Sequence, residues 1–188
     1  MITTNDAELA NVVGSFRNHG INVQANSDHS ELGENFSRLG FNYRLTDLQA
    51  SIGIIQLKKL NDFIEERNKW ASWYHEQFKN IDWLVCPVTE MHVKHSWQSF
   101  VIYVDPEKSP LSRNDLMTKL KEKGVETREG NMAIHMLPLY KKRYKICNEE
   151  FPATCDCYMN AIAIPLHNCM DKADYEYVAE TILDLVDI

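Results

Sequence analysis

No stretch of this chain approaches the about 20 consecutive apolar residues needed to cross a bilayer. Its first residues, Met1-Ile2-Thr3-Thr4-Asn5-Asp6, also lack the charged and apolar regions of a secretion signal. Both absences lead us to expect a cytoplasmic setting and no membrane partner. Long basic runs are missing too, and the formal net charge is −7, which argues against a nucleic-acid surface. The local group Lys141, Lys142, Arg143 and Lys145 reads as the solvated edge of a helix or loop. The five cysteines, Cys86, Cys147, Cys155, Cys157 and Cys169, form an odd set without paired C-x-x-C spacing, so neither a disulfide framework nor a zinc ribbon is expected. Cys155-Asp156-Cys157 with His167 and Cys169 suits ordinary packing better than a metal cluster. No internal repeat is visible. What is present, 188 residues at 44% hydrophobic and 25% charged, is ordinary for a folded globular protein of one domain or two small ones.

The richest string is Gly40-Phe41-Asn42-Tyr43-Arg44-Leu45-Thr46-Asp47-Leu48-Gln49-Ala50. Thr46 and Gln49 stand three apart, the spacing of a capping box, so a helix should start near Thr46. Leu45, Leu48, Ile52 and Ile55 then recur every three or four residues and share one face, to be covered either by the core or by another subunit. Asn42 and Arg44 fall in the turn just ahead of this helix. Donors there can converge with the positive helix end on an anion such as a phosphate. The plainer alternative is that Asn42 tolerates a tight turn and Arg44 pairs with Asp47.

The surrounding pattern alternates between helix and strand. Met1 to Asp6 reads as a short strand, and Asp6 can cap a helix running to Phe16. Arg17 to Arg38, rich in Asn, Ser, Asp and His, reads as a long surface loop in which His19 and His29 are surface residues. The helix from Thr46 should continue through Trp70, Trp73, Tyr74 and Phe78 as a connector. Beyond it we expect a strand over Trp97 to Val104, a helix from Ser112 to Gly124, and a strand over Val125 to Arg128. A helix near Glu149 to Met159, a strand over Ala161 to Ile164 and a last helix over Asp171 to Val186 would follow. That order describes a small α/β domain with helices laid on one sheet. Trp97 is expected to pack on the connector helix.

The Gly40 to Leu57 block resembles the G-x-N-Y-R-x-(S/T) signature of the DegT/DnrJ/EryC1/StrS sugar aminotransferases. Met1 to Leu9, Arg17-Asn18-His19-Gly20, His135 with Pro138 and Tyr140, and Ile164-Pro165-Leu166 extend the likeness along essentially the whole chain. The resemblance implies an α/β fold of the aspartate aminotransferase type, with pyridoxal 5'-phosphate as cofactor. It implies a remnant of the large cofactor-binding domain over residues 1–60, and a connector helix with a small C-terminal domain over residues 61–188. It also implies a homodimer with its active site at the interface, acting on glutamate and a keto sugar nucleotide in polysaccharide or deoxyamino-sugar synthesis.

By the same resemblance, Asn42 would reach across the dimer interface to the cofactor phosphate, with Tyr43 and Arg44 along the same edge. Arg44 would hold an anionic substrate group or an interface salt bridge. Arg128 lies in a Thr-Arg pair found in relatives that bind charged substrates, although Glu129-Gly130-Asn131 replaces the usual aromatic-rich spacer. His135 would face the sugar or the amino donor, although a surface histidine fixing a turn is the simpler reading. The lysine that forms the Schiff base would lie ahead of the Met1 string, in a segment these residues do not include. Lys58, Lys59, Lys119, Lys121, Lys123 and the Lys141 to Lys145 group read as exposed, so this chain alone is expected to be inactive. A truncated relative serving as a binding or regulatory module is the alternative.

Overall fold

The computed structural model describes residues 2–21 and 36–185. Two compact units emerge, Met1–Lys58 and Lys59–Ile188. In the first, helix α1 (Ala7–Phe16) starts at Asp6, whose carboxylate accepts the N–H groups of Glu8 and Leu9 at 2.9 and 3.1 Å. The strand expected ahead of it does not form. Ile2 to Asp6 is irregular, because no segment among the described residues lies alongside to complete a ladder. After α1 the chain runs antiparallel to the segment entering the next helix, with isolated pairs at Asn18–Asn42 and Ile21–Phe36. The expected surface loop is therefore closed at both ends; its middle, including His29, lies outside the described residues, and His19 is exposed as expected.

Helix α2 (Asp47–Phe78) begins at the capping box read from the sequence. The Gln49 side chain accepts the Thr46 N–H at 3.0 Å, and the Thr46 hydroxyl accepts the Gln49 N–H at 3.3 Å. The helix runs as far as the periodicity indicated. Leu48, Ile52 and Ile55 on its first half are exposed, so nothing among the described residues covers this face.

The second unit is built on a four-stranded antiparallel sheet of order β1-β2-β4-β3, with β1 (Leu84–Val85), β2 (Phe100–Val104), β3 (Arg128–Glu129) and β4 (Ala161–Ile164). Phe100 stands opposite Ile164 and Ile102 opposite Ile162, which puts these side chains on one buried face. Against it pack Trp70, Tyr74 and Phe78 of α2, Leu116 and Leu120 of α3 (Arg113–Glu122), and Tyr175, Val178 and Ile182 of α6 (Lys172–Asp184). Tyr103 points the other way, and its hydroxyl meets both carboxylate oxygens of Asp156 on α5 (Pro152–Asn160). Helix α4 (Pro138–Tyr144) carries the basic group on its exposed surface, as expected.

Three strands of the sheet differ from expectation. The two-residue β1 was not foreseen. Strand β2 starts at Phe100 because Trp97 adopts φ +46°, held there by its N–H on His95 Nδ1 (3.0 Å) and its indole N–H on Asn68 Oδ1 (2.9 Å). Trp97 does pack on α2, through that bond. Strand β3 is short because the Val125 N–H closes the end of α3 on the Leu120 carbonyl (2.8 Å) after Gly124 turns at φ +81°. The last helix ends at Asp184, and Val186 lies outside the described residues.

The aromatic centre of this unit is tight: the Trp70 and Tyr175 rings stack at 4.1 Å and Tyr74 meets Phe78 at 5.6 Å. Burial pushes the Tyr175 phenol up to about 12 and raises Tyr74 as well. Folding therefore holds protons that the unfolded chain releases above its ordinary tyrosine pKa of about 10. The stabilisation is complete below that point and falls away as pH rises through the folded value. Urea midpoints should accordingly be flat through neutral pH and drop steeply above about pH 10. Phe78→Ala should lower unfolding free energy by about 3–5 kcal/mol in the same assay.

Candidate functional site

In the first unit the candidate turn is made by two chain segments crossing at close range. Gly20, at φ +82°, and Gly40 face each other so closely that a methyl on Gly20 would strike the Arg38 carbonyl and one on Gly40 would strike Gly20. Around this crossing the His19 N–H donates to the Phe41 carbonyl (3.0 Å), Phe41 N–H to Phe16 (2.7 Å) and Tyr43 N–H to Arg17 (2.9 Å). The backbone of Asn42 is thereby fixed ahead of α2, and its side chain is exposed. Arg44 does not pair with Asp47: its Nε donates to Asn18 Oδ1 at 3.0 Å, and its terminal guanidinium nitrogens have no partner among the described residues. Tyr43 is exposed and stacks on Phe41 with ring centroids 5.1 Å apart. An amide, a pinned guanidinium and a helix N-terminus form a donor set that suits an anion.

Tyr43 and Arg44 also edge a trough of about 1270 Å³ whose other walls, including Ile2, Val12, Val13 and Phe16, are largely apolar. Arg128 and His135 belong to the second unit and line different cavities. Arg128 shares one of about 710 Å³ with Glu126, His167, Asp174 and Tyr177. His135 borders one of about 300 Å³ with Tyr140, Ile146 and Phe151. Here the simpler sequence reading needs correction, since His135 is buried at 7% exposure and not on the surface. Its Nε2 lies 3.2 Å from the Cys155 sulfur, and its ring sits 5.2 Å from that of Phe151. From the sequence, Cys155 reads as ordinary packing rather than a metal ligand, and its pairing with His135 is not foreseen. Among the described residues no group of three or more His, Cys, Asp or Glu side chains gathers for a metal, and the cysteines are free. Asn18, too, was read as part of a block without a role; only the fold brings it to Arg44.

The fold is that of pyridoxal-phosphate-dependent aminotransferase structures, matched over about half of those chains. Helicobacter pylori PseC, an aminotransferase involved in the biosynthesis of pseudoaminic acid, matches with a TM-score of 0.84 at 22% identity, over 98% of this chain and 47% of its own. An aminotransferase from Psychrobacter cryohalolentis matches at 0.85 and 20% identity, over 99% of this chain and 51% of its own. The family model for DegT/DnrJ/EryC1/StrS aminotransferases matches residues 1–183, and the chain belongs to that family, whose members are pyridoxal-phosphate-dependent. The spore coat polysaccharide biosynthesis protein SpsC of Bacillus subtilis is 30% identical over 190 residues, covering 99% of this chain and 49% of that protein. The chain spans about half the length of the curated relatives it matches. Among the described residues no helix is long and apolar enough to cross a membrane.

Because the crossing tolerates no side chain at Gly40, Gly40→Ala should loosen the turn without unfolding the second unit. Hydrogen exchange should accelerate at the amides of His19, Phe41 and Tyr43 while Ile102 and Ile162 stay protected. Unchanged protection at all of these amides would show the crossing to be unnecessary.

Proposed function

We propose that this chain forms the C-terminal half of a sugar aminotransferase that moves an amino group from glutamate to a keto sugar nucleotide in polysaccharide synthesis. The observation that supports it most directly is the turn at Asn42: an exposed amide beside a guanidinium pinned on Asn18, immediately ahead of a capped helix. In this reading the Asn42 side-chain N–H donates to the phosphate of pyridoxal phosphate held by a partner protomer. Bound there, the cofactor supplies the electron sink for amino transfer. Arg44 keeps Nε on Asn18 and offers its terminal nitrogens to an anionic substrate group. Tyr43 covers the same edge, while Arg128 and His135 contact the sugar nucleotide or the amino donor. The exposed stripe of Leu45, Leu48, Ile52 and Ile55 supports a homodimeric design, since it leaves apolar surface for another chain to cover.

No lysine of this chain is buried. A lysine that bonds covalently to a cofactor is activated by burial or by neighbouring charge, so the reading places it in sequence beyond these 188 residues. The polypeptide alone, incubated with cofactor, glutamate and a keto sugar nucleotide, should then give no product. Joined to a lysine-bearing segment, it should bind pyridoxal phosphate with a visible absorption band, and Asn42→Ala should weaken that binding by about tenfold or more. Cofactor affinity unchanged by the substitution would remove Asn42 from the phosphate site.

A further inference from the structure

His135 has two ring nitrogens, and the fold engages one of them. Nε2 lies 3.2 Å from Cys155 Sγ, and that sulfur in turn lies 3.5 Å from the Asn148 carbonyl oxygen, to which the thiol donates. A thiol has one hydrogen and can also accept. If it pointed that hydrogen at Nε2, the contact with Asn148 would carry no proton. Both contacts are satisfied together in one arrangement, in which the imidazole donates from Nε2 to the sulfur and the sulfur donates on to the carbonyl. Sulfur is a weak donor and acceptor, yet the ring is half caged, with Phe151 beside it and the whole residue 7% exposed.

We propose that Cys155 is a positioning residue that fixes neutral His135 as the Nε2–H tautomer and so leaves Nδ1 as a bare acceptor for the ligand. Cys155 is not among the residues lining the 300 Å³ cavity, whereas His135 is. Nε2 is taken up by that sulfur, and Nδ1 has no hydrogen bond among the described residues. In this cavity, which His135 lines with Met132, Ile134, Tyr140 and Phe151, an Nδ1 lone pair selects a ligand group that brings its own hydrogen. A sugar hydroxyl or an ammonium group qualifies; a carbonyl or phosphate oxygen does not. The role of His135 as a ligand contact rests on the function proposed above, but its tautomer does not.

Nitrogen-15 NMR of the histidine rings, with the imidazoles neutral, reads the tautomer directly. Wild-type protein should show His135 protonated at Nε2. Cys155→Ser, which keeps a donor and acceptor in place, should retain that state. Cys155→Ala should shift the ratio of the two tautomers toward Nδ1–H by about five- to tenfold. A wild-type His135 protonated at Nδ1 would overturn the proposal, as would a ratio unmoved by Cys155→Ala. Should the alanine variant fail to fold, Cys155→Val, which fills the space and removes both donor and acceptor, makes the same test, and an unmoved ratio in it would equally overturn the proposal. The result is separable from the cofactor measurement: an Nε2–H tautomer together with unaltered cofactor binding in Asn42→Ala would sink the phosphate role of Asn42 and leave this relay standing.

Discussion

The larger unit depends on the second half of α2 being locked to the link between β4 and α6. Trp70, Tyr74 and Phe78 recur every four residues and so share one helical face, which their rings fill against Phe100 and Tyr175. Two phenols then turn this apolar contact into a positional one. The Tyr74 hydroxyl donates to the Pro165 carbonyl and the Tyr175 hydroxyl to that of His167, each at 3.0 Å. One turn earlier on α2, Asn168 is gripped by the Phe63 carbonyl, the Glu66 carboxylate and the Arg67 guanidinium. Residues that would otherwise form a free loop after β4 are held at both ends, and α6 enters the core from a fixed point. Asn68 extends the same control to the loop before β2, where it holds the indole of Trp97 and the carbonyl of His95.

Local chemistry was legible in the sequence, and long-range contact was not. Helix starts at Asp6, Thr46, Ser112 and Asp171 could be read because a cap and its partner lie within three residues. Strand β4 was legible as an unbroken apolar run bounded by a helix end and a proline. The length of β2 was not, since what stops it is Asn68, 29 residues before Trp97. Strand β3 was overestimated because Val125 looks like a strand residue while its N–H is already committed to the end of α3.

The candidate residues divide along the same line. That Asn42 and Arg44 stand ahead of a helix follows from the capping box. That Arg44 turns to Asn18 and away from Asp47 follows from the Gly20 and Gly40 crossing, which joins segments 20 residues apart and shows in sequence only as two glycines. His135 is the sharper example. A histidine in a short turn reads as exposed, whereas this one is buried beside Phe151, just ahead of α5, and Cys155 in its first turn, 16 and 20 residues further on.

Helix α2 also shows why a hydrophobic stripe by itself names no partner. Leu48, Ile52 and Ile55 repeat with the same helical period as Trp70, Tyr74 and Phe78, yet the first group stays open and the second is closed. Period reports only that a face is meant to be covered. What covers the second group is encoded elsewhere in the chain, in Phe100, Ile162 and Tyr175, and the cover of the first is found nowhere among the described residues. The open stripe follows directly on the turn that carries Asn42, so a chain that closes it would also lie close to that exposed amide, and burial strengthens whatever hydrogen bond such an amide makes.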